Sequence, residues 1–554
     1  MKVVLVLPGN DNYRSSAISQ AGAEHLGLGY IAAYARQHGH DVITLNFQVN
    51  AYLSYWEGLE QQQTSSVENA IIEILQYDPQ VVGISVTGIT LTEALGISYG
   101  LKKARSNLHI SWGGHQAFQS AKDILQRESA VDTIVAGDGE ITFTRLLESI
   151  GNNGNIGDIS GLWYRREEKI IFSGTPPEPN LDELPFPDRD TLQELQQRGA
   201  KVTDARISTS RGCPFKCSFC VDPSLGYRKK WRARSAKKVV EEITNLVKHY
   251  GISFFWFSED NFIPPTRVGH RRANEIARLL IERKLDIGYR ALLRADAIDG
   301  QRDLLKNLVQ SGLSCVYMGI ESGSPRRLAY FRKHETPELY QRVVKLLREF
   351  KIGLQVGFIM FDPLTHWEDL ELDAKFLYEI KEMYLYSNFC QVLDVFPGTE
   401  LSQILIQKGL LDKNFTYDSP FDEYDYEIPA LGTMAHAMQS AYKENFVEID
   451  KFFQRLRVVD LPRLWRQSAR QKVIGLETLE DLFSSILKKL NQSGLDFFIE
   501  VLELAQSGWD DNRFKKCLDI YHHEVANQQE TFLKEARNLP ANIRGDLSAA
   551  QGLF

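Results

Sequence analysis

Short apolar runs alternate with amphipathic stretches over the first 150 residues. Residues 3–7, 41–47, 81–86, 109–112 and 133–136 have the length and composition of buried strands. Residues 27–37, 67–76 and 92–104, and a stretch from Phe143 onward, carry helical patterning. Strands and helices in strict alternation predict a doubly wound parallel sheet. Such sheets bind ligands beyond the carboxyl ends of their strands.

The predicted strand ends are rich in glycine and small hydroxyls. They read Pro8-Gly9-Asn10, Ser85-Val86-Thr87-Gly88, Trp112-Gly113-Gly114-His115 and Gly137-Asp138-Gly139-Glu140. Singly, each is ordinary turn chemistry. Four in register along one edge point to a large flat ligand that needs close backbone approach. His25, in another glycine-rich loop, reads either as a contact to such a ligand or as a solvated residue.

Prolines at 176, 177, 179, 185 and 187 break the pattern, so residues 151–200 read as a linker. Alternation then resumes. Strands are predicted at 206–210, 253–257, 288–293, 315–319, 353–358 and 389–395, with helices at 236–249, 273–283, 304–310, 338–350 and 369–380. Six strands and five helices make a partial (β/α)6 barrel, whose chemistry sits at the carboxyl ends of the strands. After residue 400 strand signals vanish. Leu479, Leu482, Phe483, Ile486, Leu487 and Leu490 share one helix face, with Thr478 and Asp481 as a candidate cap. The expected organisation is 1–150, a doubly wound ligand-binding domain; 151–200, a linker; 201–400, the partial barrel; and 401–554, a C-terminal α-helical domain. That last domain either caps the barrel or serves as a structural or dimerising bundle.

Composition narrows the class. The 554 residues are 43% hydrophobic and 25% charged, which excludes a disordered or fibrous chain. Net charge is −8, and a non-specific nucleic-acid binder is normally basic. No apolar run reaches the roughly 18 residues of a membrane span. The apolar start runs directly into Gly9-Asn10-Asp11 and reads as a first strand rather than a signal segment. Six cysteines are too few for a disulfide framework, which points to a reducing, cytoplasmic setting.

Three of those six crowd one loop as Cys213-Pro214-Phe215-Lys216-Cys217-Ser218-Phe219-Cys220. Thiolates so spaced after a strand can wrap one inorganic cluster. Iron–sulfur clusters usually take four cysteines, so three leave one iron open for a chelating ligand. Zinc is the competitor, but no histidine lies between Ser208 and Lys248 to complete a Cys3His set.

The C-x3-C-x2-C spacing, its place after the first barrel strand and the strand–helix alternation resemble the radical S-adenosylmethionine (SAM) superfamily. The first 150 residues, with Ser85-Val86-Thr87, Gly113-Gly114 and Gly137-Asp138-Gly139-Glu140, resemble the B12-binding domain of its cobalamin-dependent branch. The resemblance implies that Cys213, Cys217 and Cys220 hold a [4Fe–4S] cluster whose open iron binds SAM. It implies further SAM contacts from Phe219, Glu259, Asp260, Arg290, Arg294 and Glu321. Cobalamin contacts would come from Pro8, Gly9, Ser85, Thr87, Gly113, Gly114, Gly137, Gly139 and Glu140. The family's Asp-x-His-x-x-Gly cobalt-ligand pattern is absent, and Asp362-Pro363 replaces its usual glycine-rich fifth strand end.

The function implied is a cobalamin-dependent radical SAM C-methyltransferase acting on an unactivated carbon of a natural product, peptide or tetrapyrrole. The alternatives are a cyclase, oxidase or rearrangement enzyme with the same cofactors, and a non-catalytic cofactor carrier. A low-potential donor, flavodoxin or ferredoxin, would supply electrons. Lys216, Arg228, Lys229, Lys230, Arg232 and Arg234 near the cluster loop suit an acidic donor or a solvated basic segment. Cys315 and Cys390 read as inert core thiols.

Overall fold

The computed structural model describes residues 1–9, 24–56, 66–221, 230–468, 473–541, 543 and 547. Val3, Val4, Leu5 and Val6 are almost wholly inaccessible, which is why the first strand is a continuous apolar run rather than an alternating one. It is β1 (Lys2–Leu7), second from one edge of a seven-stranded sheet. With it lie β2 (Asp41–Asn46), β3 (Val81–Ser85), β4 (His109–Gly113), β5 (Thr133–Val135), β6 (Leu162–Arg166) and β7 (Lys169–Phe172), ordered β2-β1-β3-β4-β5-β6-β7.

The first five strands are parallel, and helices cover both faces. Leu26–Gln37 and Gly139–Gly151 bury Leu28, Ala32, Phe143 and Leu146 on one face. Val67–Gln76 and Leu91–Ala104 bury Ala70, Ile74, Ala94 and Ile97 on the other. The last two strands are antiparallel and come from the segment read as a linker. Leu162 and Tyr164 are buried there, so part of that segment completes the first sheet.

A second sheet holds β8 (Asp204–Ile207), β11 (Phe254–Phe257), β12 (Gly288–Leu293), β13 (Leu313–Glu321) and β14 (Gly353–Phe358), all parallel, in the order β14-β13-β12-β11-β8. Between β8 and β11 a two-residue ribbon pairs β9 (Ser210–Arg211) with β10 (Arg232–Ala233). Ala205, Phe255, Tyr289, Val316 and Leu354 face the helix-covered core. Their neighbours point to the concave side.

The expected sixth strand is not one. Residues 389–395 contribute only an isolated bridge, Phe361 to Val392, and Tyr386–Phe389 is a 3-10 turn. The physical cause is aromatic. The Tyr386 ring stacks on Phe446 at 4.2 Å, and Phe389 packs on Phe498 at 6.0 Å, so the C-terminal core holds the segment. The expected (β/α)6 unit is therefore a five-stranded curved sheet.

C-terminal helices Leu476–Ser507 and Asp511–Ala536 form an antiparallel hairpin, burying Leu479, Phe483, Ile486 and Leu490 as the periodicity predicted. The first begins after Gly475 at φ 88°, not at Thr478. Val458 packs with Phe254, Trp256 and Cys315 and closes the concave face of the second sheet from below.

Candidate functional site

A cavity of about 620 Å³ lies where the carboxyl ends of the two sheets face each other. The first sheet contributes Ser85, Thr87, Gly113, Gly114, Gly137 and Glu140; the second contributes Arg206, Ser210, Arg211, Gly212 and Glu259. Four of the glycine-rich loops were expected here, and three arrive. Pro8 and Gly9 are not among the lining residues; the Pro8 carbonyl instead accepts from Gln48 Nε2 at 3.1 Å.

The glycines have separate reasons. Gly114 sits at φ 101°, and a Cβ there would stand 2.5 Å from the Val86 carbonyl. No L side chain fits that backbone without strain. A Cβ on Gly113 would meet nothing within 4 Å, so this glycine leaves open space. Ser111, one register step below Gly113, was not expected. Its hydroxyl is buried and has no hydrogen-bond partner, yet Ser111 lines the cavity. A small residue two positions before the glycine pair was the signal for it. The orphaned hydroxyl and the open space at Gly113 fit a large ligand with polar edges, as cobalamin is.

Glu140 is not free for such a ligand. Its carboxylate accepts from Arg211 at 2.6 Å, and Thr87 caps the turn at Thr90. His25 Nδ1 accepts from the Leu28 N–H at 3.1 Å and caps helix Leu26–Gln37. Its Nε2 lies 3.0 Å from Ser85 Oγ. Burial, then the nearby Arg206 charge, pushes the imidazole down to about 4. The neutral ring therefore carries its proton on Nε2 and donates it to Ser85.

Cys213, Cys217 and Cys220 follow β9 as half-buried thiols outside any disulfide. Gly212 at φ 78° turns the chain into their loop. Ser218 pins it: its N–H donates to the Phe331 carbonyl at 3.1 Å and its hydroxyl to the Tyr330 carbonyl at 2.7 Å. Burial pushes the Cys217 thiol up, and the Lys333 and Arg294 charges pull it back toward thiolate. Among the described residues no three Cys, His, Asp or Glu side chains are gathered into a closed metal site. What fits a cluster is the donor set: three reduced thiols on one loop beside two cations.

The other expected SAM contacts separate. Phe219 packs edge-on against Phe331 at 5.2 Å. Glu259 lines the cavity but accepts from Thr209 Oγ1 at 2.6 Å, and burial raises its carboxyl. Asp260 also lines the cavity. Arg294 is engaged by Asp296 at 2.9 Å and Glu335 at 3.2 Å. Glu321 follows a bulge at φ 68°, and its carboxylate is 3.4 Å from Lys333 Nζ. Arg290 lies deeper, donating to Gln355 Oε1 at 2.9 Å. Lys333 and Arg206 were missed; a basic residue interrupting the apolar run Ala205-Arg206-Ile207 was the visible sign of the second.

Two members of the basic segment are paired with carboxylates. Arg232 is 2.5 Å from Asp138, and Arg234 is 2.5 Å from Glu242. Arg228 and Lys229 lie outside the described residues. Cys315 and Cys390 are wholly buried, and burial pushes both thiols up, Cys315 to about 12. No described helix is long and apolar enough to cross a membrane.

Two family profiles match the chain: the B12 binding domain over residues 20–147, and the Radical SAM superfamily over residues 207–377. An uncharacterized methyltransferase of Pyrococcus horikoshii is 30% identical over 415 residues, covering 74% of this chain and 84% of the relative. The anaerobic magnesium-protoporphyrin IX monomethyl ester cyclase of Synechocystis is 25% identical, covering 70% and 73%. Among solved structures, the cobalamin-dependent S-adenosylmethionine radical enzyme OxsB, with aqua-cobalamin and S-adenosylmethionine bound, superposes with a TM-score of 0.66. Its identity is 19%, over 95% of this chain and 84% of that one.

Proposed function

Because the chain belongs to the radical SAM superfamily, in the branch that also carries a B12-binding domain, we propose that it is a cobalamin-dependent radical SAM methyltransferase acting on an unactivated carbon. The observation that carries this reading is the shared cavity. One wall is the glycine-rich edge of the first sheet, and the other is the rim of the second sheet that leads into the three-cysteine loop.

Cys213, Cys217 and Cys220 would hold the [4Fe–4S] cluster, the rim of the second sheet SAM, and Ser85, Ser111, Gly113 and Gly114 the cobalamin. Together these groups supply reductive cleavage of a sulfonium, radical hydrogen abstraction and a transferable methyl. The chain's own residues do the positioning. Gly114 and Gly137 admit the ligand to the backbone. His25 orients the Ser85 hydroxyl. Arg294 and Lys333 partly offset the burial that pushes the Cys217 thiol up. Val458 and the C-terminal helices close the lower side against water. A low-potential donor such as flavodoxin or ferredoxin would deliver electrons.

The test is anaerobic turnover with dithionite after iron, sulfide and cobalt analysis. Methyl transfer predicts cobalt near one per chain, and both S-adenosylhomocysteine and 5′-deoxyadenosine among the products. The cyclase relative favours a second reading with the same cofactors and no methyl transfer. A product without the added CH2, formed with 5′-deoxyadenosine alone, would select it.

A further inference from the structure

Arg206, Trp256 and Arg290 form one rung across the concave side of the second sheet. Trp256 on β11 is in register with Arg206 on β8 and with Arg290 on β12. The strands are parallel and adjacent, so all three side chains leave the same face. It is the face opposite the helix-covered Ala205, Phe255 and Tyr289. The Arg290 guanidinium lies 5.2 Å from the Trp256 ring centre and 4.9 Å from that of Tyr317. Aromatic walls hold the cation without neutralising it.

The Trp256 indole N–H donates to Asp204 at 2.7 Å, and among the described residues neither arginine pairs with a carboxylate. Among the described residues Arg206 makes no side-chain hydrogen bond and no ion pair. Arg290 uses one N–H, toward the neutral Gln355. Each guanidinium offers five N–H donors in a fixed fork that matches carboxylate or phosphate. Neither residue has an atom among the buried, unpartnered ones, so the unused donors keep some accessible surface, and Arg206 lines the cavity. Burial lowers Arg290, and the charge of Arg206 two strands away adds a smaller push in the same direction. Other buried arginines are held either by carboxylates, as Arg211 is by Glu140, Arg234 by Glu242 and Arg294 by Glu335, or by carbonyls, as Arg272 is by those of Arg234 and Thr209.

The geometry points to an anion site: the Arg206–Trp256–Arg290 rung binds a carboxylate or phosphate group of the substrate. SAM is the other source of such a group, but its place is higher. Arg294 and Lys333 are the cations felt by Cys217. Arg290 lies on β12 four residues before Arg294, which follows the strand's end, and so sits roughly 13 Å deeper at the rise of a β-strand. An anionic group held there leaves the rest of the substrate pointing up the concave face toward the cluster loop and the cavity. The inference rests on the methyltransferase reading for the identity of the occupant.

The test uses the anaerobically purified full chain with inorganic phosphate as probe, against chloride at matched ionic strength. Phosphate should raise the wild-type melting temperature by about 3 °C. Arg206→Gln and Arg290→Gln should each lose most of that rise while melting in chloride at or above wild type, since repulsion is relieved. A purely structural arginine would melt lower when replaced. The phosphate effect should add to those of saturating SAM and hydroxocobalamin. An equal phosphate effect in the variants, no effect in wild type, or competition with either cofactor would overturn the proposal. SAM cleavage and cobalt content are measured on the same preparations. Their absence from wild type, with the phosphate effect retained, would strike the methyltransferase reading and leave the anion site standing.

Discussion

Arg211, two residues before Cys213, donates through its guanidinium to the carboxylate of Glu140 at 2.6 Å. One residue belongs to the three-cysteine arm and the other to the glycine-rich edge of the first sheet. Arg232, paired with Arg211 across the short ribbon, reaches Asp138 on the same loop at 2.5 Å. The two halves of the cavity are thus fastened by buried charge. Arg211 also lies 3.3 Å from Asp138, so removing Glu140 takes away one of its two carboxylates.

Glu140→Gln should therefore cost about 2 kcal/mol, the loss of one charged hydrogen bond from an arginine that keeps Asp138. Differential scanning calorimetry reads the loss of stability, and cobalt retained after gel filtration reads the loosened edge. An unchanged melting temperature would show that the contact contributes nothing.

His25 makes a pH prediction. Its imidazole is held at about 4, below its ordinary 6.5, so the folded state resists protonation while the unfolded state accepts it. The associated stability is fully present above pH 6.5 and is lost as pH falls through 4. The loss is about 2–3 kcal/mol. His25→Asn keeps a capping side chain but removes the titration. The wild-type minus variant difference in unfolding free energy should shrink by that amount between pH 7 and pH 4.

Gly114→Ala places a Cβ 2.5 Å from the Val86 carbonyl on a backbone at φ 101°. Strain of this kind costs about 1–3 kcal/mol. The variant should melt lower and bind hydroxocobalamin at least about tenfold more weakly, because the loop it distorts lines the cavity. Equilibrium dialysis against wild type checks the second outcome.

Replacing Cys213, Cys217 or Cys220 singly by alanine should abolish the reduced-cluster electron paramagnetic resonance signal and lower SAM cleavage more than about a hundredfold. All three are half-buried, so circular dichroism melting should shift little. Cleavage surviving in any one variant would remove that cysteine from the ligand set.

Much was legible along the chain because strand–helix alternation is local. β1, β3, β12 and β14 start within a residue of where apolar runs predict them, and the helix face through Leu479 and Leu490 is buried. Residues 389–395 also read as a strand, yet Tyr386 and Phe389 find aromatic partners up to 135 residues away in Phe446, Phe498 and Tyr521. Propensity yields to such packing.

By itself the chain's order of residues determined the alternating architecture, the thiol trio and the glycine-rich strand ends, since each depends on neighbours a few positions apart. Only the tertiary structure decided which groups share a charge. Arg211 with Glu140, His25 with Ser85, and Arg206 beside Arg290 are brought together by sheet register and domain packing. Their sequence separations run from 60 to 84 residues, over which no local periodicity carries information.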